Sequence, residues 1–173
     1  MRIFLVTSVT AMLILLELLT GNFGLALGFP LCGAVYFAAA YRKSAGLVSA
    51  GCAGLILDAL YCRDIMLLLL IYPAIVLTAW QIIRYFRRQI PLAPLAAGAA
   101  IGAMMSVTNI LLCLIFRTPL PGPDMASICI FQVFIAAVFM MLFTLTADAL
   151  AFKCNLPRLK NSGTTRNRSE DDE

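Results

Sequence analysis

Six apolar runs separated by short polar breaks constrain this chain more than any other feature. They fall at Ile3–Leu19, Phe23–Tyr41, Ser44–Cys62, Ile65–Ile83, Pro91–Phe116 and Ile128–Phe152. Crossing a hydrocarbon core of ~30 Å takes about 20 helical residues, because an α-helix rises ~1.5 Å per residue. Each run is of that order. Irregular backbone facing lipid would leave its N–H and C=O groups unpaired, so helices are the expected solution. The expected fold is therefore all-α, a polytopic six-helix transmembrane bundle over residues 1–154 with a disordered cytoplasmic tail over 155–173. Composition agrees: 62% of the 173 residues are hydrophobic and 13% charged, with a mean hydropathy of +0.94, where a soluble domain has about 25% charged residues. Arg2 and the apolar residues after it resemble a signal peptide. No small-x-small cleavage site follows, so an uncleaved first span is expected.

Lys and Arg set the expected orientation. Arg2, Arg42, Lys43, Arg84, Arg87, Arg88 and the five basic residues from Lys153 onward fall on one side of six spans. Arg63 and Arg117 are the exceptions among the 13 basic residues. That asymmetry places both termini in the cytoplasm. The basic half of the tail, with Arg84, Arg87 and Arg88, is expected to attract anionic membrane lipids.

The third run, SAGLVSAGCAGLILDALYCRD, holds the least ordinary pattern. Gly46, Ala50 and Gly54 recur every four residues, which places them on one narrow helix face, and Asp58 continues the step. A small-residue face lets another helix approach closely. A carboxyl group among apolar residues costs at least ~2.5 kcal/mol at a helix centre, so Asp58 is expected to have a specific packed role near the outer end of its span. Gly98 and Gly102, followed by Ser106, form a similar face on the fifth run. The favoured use of these glycines is packing of helix three on helix five, and the alternative is a surface for another membrane protein. Thr108 and Asn109 are candidates for hydrogen bonds between helices. Glu17 and Asp148, near opposite membrane surfaces, read as interfacial anchors.

Other features are weaker. Pro73 is expected to kink the fourth helix. Trp80, Tyr85 and Phe86 form an aromatic anchor at its cytoplasmic end. The loop RTPLPGPDMAS (Arg117–Ser127) reads either as a stiff spacer or as a docking edge for an extracytoplasmic partner. The six cysteines have no CxxC spacing and read as small apolar residues, with Cys62 and Cys129 able to lie near one face. LILDALYC and LTADALAF echo each other only weakly.

No enzyme signature is present. The chain has no histidine, phosphate loop, HExxH or Ser–His pair. An aspartyl protease dyad needs two acids sharing a proton, and Asp58 and Asp148 are expected at opposite depths. No catalytic residue, cofactor, metal ligand or nucleic-acid surface is assigned.

The segment GLVSAGCAGLILDALY (Gly46–Tyr61), with six spans and inward termini, resembles the bacterial rod-shape-determining MreD family. Its members carry a glycine-rich third span ending in a G-L-x-x-D-like signature, matched by Gly54, Leu55 and Asp58. Tyr72, Pro73 and the basic turn RYFRRQ are similar in kind, although Cys62-Arg63-Asp64 stands where many members have a glycine. The resemblance covers about residues 1–155. It implies a non-enzymatic scaffold of the cell-elongation complex in the bacterial cytoplasmic membrane. Such a scaffold partners an MreC-like bitopic protein, with the MreB filament, RodA and a class B penicillin-binding transpeptidase alongside, and guides lateral peptidoglycan synthesis. The family also looks like the substrate-binding components of energy-coupling-factor transporters, so a vitamin-transporter subunit is the alternative. Against it, helix one is dominated by Leu and Met beyond Ala11, where that class often has a small-residue face.

Overall fold

In the computed structural model, which describes residues 2–21, 27–61, 66–86, 92–115 and 125–153, the six apolar runs become six helices. These are α1 (Arg2–Gly21), α2 (Phe29–Ala40), α3 (Lys43–Leu60), α4 (Leu68–Tyr85), α5 (Leu92–Ile115) and α6 (Met125–Lys153). Five are long and apolar enough to cross a membrane. Outward-facing Phe4, Met12, Leu70, Ile130, Phe134 and Leu145 are each at least 60% exposed, a surface suited to hydrocarbon and not to water. The chain is an all-helical, multi-pass membrane protein. The expected tail, residues 117–124 of the proline-bearing loop, Cys62, Arg63, Arg87, Arg88 and Cys154 lie outside the described residues.

The second run departs from expectation. It was expected to span from Phe23 to Tyr41, but its helix has 12 residues, about 18 Å at 1.5 Å per residue. The reason is local. Gly28 adopts φ +76°, the left-handed region that costs glycine nothing and other residues strain. Leu27 and Gly28 are not helical, and Pro30 then sits in the first turn of α2, where its missing N–H has no intrahelical partner to lose. Hydropathy is blind to this break because the residues on both sides of it are apolar.

Shortness goes with centrality. α2 touches each of the other five helices, and all its residues except Ala39 are buried. Its sequence, FPLCGAVYFAAA, is apolar on every side, as a helix enclosed by others requires. It also begins inside the bundle. Gly28 abuts Ile101 and Met105, midway along α5. The rings of Phe29 and Phe139, the latter midway along α6, lie 4.3 Å apart between centroids.

The small-residue faces do pack closely, but not on each other. α3 and α5 make no contact among the described residues, which corrects the expected pairing of helices three and five. Gly46 lies against the Ala34 carbonyl and Ala38 of α2, and Ala50 is fully buried. Gly54 meets the start of α4, where an added Cβ would lie 2.5 Å from the Leu68 carbonyl oxygen. Gly98 and Gly102 serve α6: added Cβ atoms would lie 2.6 Å from the Ala136 carbonyl oxygen and 2.6 Å from Val133 Cα, respectively. The α5–α6 pair is the most extensive in the bundle. Each face had the wrong mate because four-residue spacing records the need for close approach without recording which backbone approaches.

Gly51 supplies a control, since a Cβ there meets only Leu69 and Pro73 side-chain atoms at 3.9 and 4.0 Å. Gly54→Leu is expected to lower unfolding stability in detergent by about 1–3 kcal/mol or more, the usual cost of overpacking. Gly51→Ala is expected to be neutral or stabilising. Equal stability of the two variants would contradict the packing described.

Candidate functional site

The polar interior is built from two helical hairpins that use the same device. Near the end of α1, Glu17 is 1% exposed. Its Oε1 accepts a hydrogen bond from the Gly28 N–H at 3.0 Å, and its Oε2 one from the Phe29 N–H at 2.9 Å. Near the end of α3, Asp58 is fully buried. Its Oδ2 accepts from the Leu68 N–H at 2.8 Å, with the Leu69 N–H further away at 3.4 Å. Each acid closes on the first turn of the following helix, ten to twelve residues ahead in sequence.

The chemistry is that of a helix N-terminus. The first N–H groups of a helix lack intrahelical acceptors, and the peptide dipoles add about half a positive charge there. A carboxylate answers both needs. Each unsatisfied N–H buried away from water costs about 1–3 kcal/mol, while placing an acid in a span costs about 2.5–3.5 kcal/mol. Two N–H groups satisfied by one carboxylate, together with the dipole term of up to about 2 kcal/mol, are enough to offset that cost.

These contacts revise the expectations for the acids. Glu17 is a buried helix cap and not an interfacial anchor. Asp58 is a packed post, as its place after Gly46, Ala50 and Gly54 suggested, and Gly54 is what lets the Leu68 backbone come within its reach. Asp148, half-buried in α6, accepts a hydrogen bond from the Tyr36 hydroxyl of α2 at 2.8 Å. The two aspartates hold different helices, so the echo between LILDALYC and LTADALAF is not a structural repeat. The repeat that exists joins α1–α2 to α3–α4, and its sequence signal is an acid near the end of one apolar run, ten to twelve residues before the next helix.

Sequence reasoning missed two further links. Thr10 Oγ1 and Ser49 Oγ lie 2.9 Å apart, tying α1 to α3. Ser106 Oγ, 3.0 Å from both Gln132 Oε1 of α6 and its own helix's Gly102 carbonyl, shares its proton between them. Thr108, a candidate for such a link, bonds back to Met104 within α5 at 2.8 Å. Cys32, Cys52 and Cys129 are free thiols. Among the described residues no group of three or more Cys, Asp or Glu is placed to hold a metal ion.

Glu17→Ala removes both acceptors at α2 and is expected to destabilise the protein by about 2–6 kcal/mol, that is about 1–3 kcal/mol for each orphaned N–H. Glu17→Gln keeps one acceptor and is expected to fall between Ala and wild type. Asp58→Asn, which keeps an oxygen for Leu68, is expected to be milder than Asp58→Leu. Chemical unfolding in mixed micelles reads all four variants, and wild-type stability in Glu17→Ala would contradict the capping role. Comparison with protein-family models, curated proteins and solved structures returned no match.

Proposed function

We propose that this chain is a non-enzymatic membrane scaffold of the MreD kind, seated in a bacterial cytoplasmic membrane with both termini inside. One observation carries this reading: each carboxylate among the described residues is hydrogen-bonded to the fold itself, Glu17 and Asp58 to helix starts and Asp148 to Tyr36. Acids committed to backbone and tyrosine are suited to holding helices in place. The residues behind the resemblance have a coherent physical task as well. Gly54 permits the approach of α4, and Asp58 seals its first turn, so a G-L-x-x-D signature is what a rigid α3–α4 hairpin needs. Leu55, between them, is 42% exposed and offers apolar surface outside the hairpin.

The proposed partner is an MreC-like bitopic protein, with MreB, RodA and a class B penicillin-binding transpeptidase in the same assembly. Co-expression and mild detergent extraction test this. The tagged chain is expected to retain the MreC-like protein encoded in the same genome, and Gly54→Leu to reduce the recovered complex. If the protein runs alone and retains a bound vitamin-like molecule, the scaffold reading fails and the transporter-subunit alternative takes its place.

A further inference from the structure

The end of the bundle opposite the two capping acids carries a group that the scaffold reading does not use. Lys43, at the start of α3, places its Nζ 5.2 Å from the centre of the Trp80 ring. Arg84, one turn beyond Trp80 on α4, places its guanidinium carbon 5.6 Å from the same ring. Arg42, Lys43 and Arg84 are exposed, and Trp80 is half-buried. Among the described residues none of these three cations is in an ion pair.

Two like charges drawn to one indole repel each other, and the aromatic face offsets only part of that repulsion. An anion between them removes the remainder. Its source is indicated by the surroundings. Trp and Tyr favour the level of lipid headgroups, and Tyr85 beside Arg84 is 84% exposed. One turn below Ser44, Val48 is 65% exposed and offers an apolar track on which an acyl chain can lie. In the expected orientation this end faces the cytoplasmic leaflet, where anionic lipids draw basic side chains.

We propose that Lys43 and Arg84, each over the Trp80 ring, form a clamp for the phosphate of an anionic phospholipid headgroup, with the exposed Arg42 adding positive charge at the start of α3. The clamp joins the start of α3 to the end of α4, so a bound headgroup would brace that hairpin at the end that Asp58 does not reach. The proposal rests on the membrane-spanning fold and is independent of the scaffold reading.

Trp80 is the only tryptophan in the chain and serves as its own reporter. The full-length protein is reconstituted in vesicles of fixed phosphatidylglycerol and phosphatidylcholine content, with bromine on the acyl chains of one lipid or the other. Surface charge is then constant, and quenching of Trp80 reports which lipid occupies its surroundings. Brominated phosphatidylglycerol is expected to quench preferentially. The relative binding constant is expected to fall about fivefold for each of Lys43→Gln and Arg84→Gln. The Lys43→Arg/Arg84→Lys double variant is expected to keep the preference. Equal quenching by both lipids in the wild type overturns the proposal without any variant having to fold. So does a preference that survives the double Gln substitution. Loss of the preference on adding inorganic phosphate, at matched ionic strength in chloride, would assign the site to a free anion and overturn the lipid clamp.

Discussion

A helix that starts inside an apolar bundle leaves its first N–H groups with no water to bind, and the rest of this structure depends on how that problem is met at α2. The helix begins at Phe29, against the middles of α5 and α6. Non-helical backbone at such a place is tolerated only when protein surrounds and satisfies it. Glu17 provides that satisfaction from α1, and Gly28 provides the left-handed turn that aims its own N–H and that of Phe29 at the carboxylate. Broken helices in transporters often direct such N-termini at an anionic substrate. Here the anion belongs to the chain, so the same geometry closes the bundle.

With α2 fixed, the other helices are arranged around it by close contact more than by any difference in polarity. Lipid is as apolar as the helix surfaces, so association between spans comes from packing and hydrogen bonds. Gly46 brings α3 onto the α2 backbone, Gly54 brings α4 onto α3, and Gly98 with Gly102 bring α6 onto α5. Polar side chains add links where these contacts leave room: Thr10 with Ser49, Ser106 with Gln132, and Tyr36 with Asp148. The last two secure α6 to α5 and α2, and Asp58 repeats at α4 what Glu17 does at α2.

The helices were legible in the sequence because apolar runs of this length have one structural outcome in a membrane. The interruption before α2 was not, since Leu27, Gly28 and Phe29 carry no polar signal and the break is a matter of one backbone torsion. The small faces at Gly46, Ala50 and Gly54 and at Gly98 and Gly102 announced close packing, but a missing Cβ does not identify the backbone that fills its place. Asp58 was legible as a costly group with a specific role. Glu17 was misjudged because its partners are backbone N–H groups, which every residue but proline has. Position relative to the next helix start, and not residue type, was the informative quantity.

Buried carboxylates satisfy the first turns of α2 and α4, whereas at the start of α3 the exposed N-cap residue Arg42 makes no capping hydrogen bond with its side chain. Hydrogen–deuterium exchange at single-amide resolution on the full-length protein in lipid nanodiscs reads this difference amide by amide. The Gly28, Phe29 and Leu68 amides are expected to exchange as slowly as amides in the middle of α2 and α4, and far more slowly than Ser44 in the first turn of α3. If Gly28, Phe29 and Leu68 exchange as fast as Ser44, the carboxylates do not hold these helix starts.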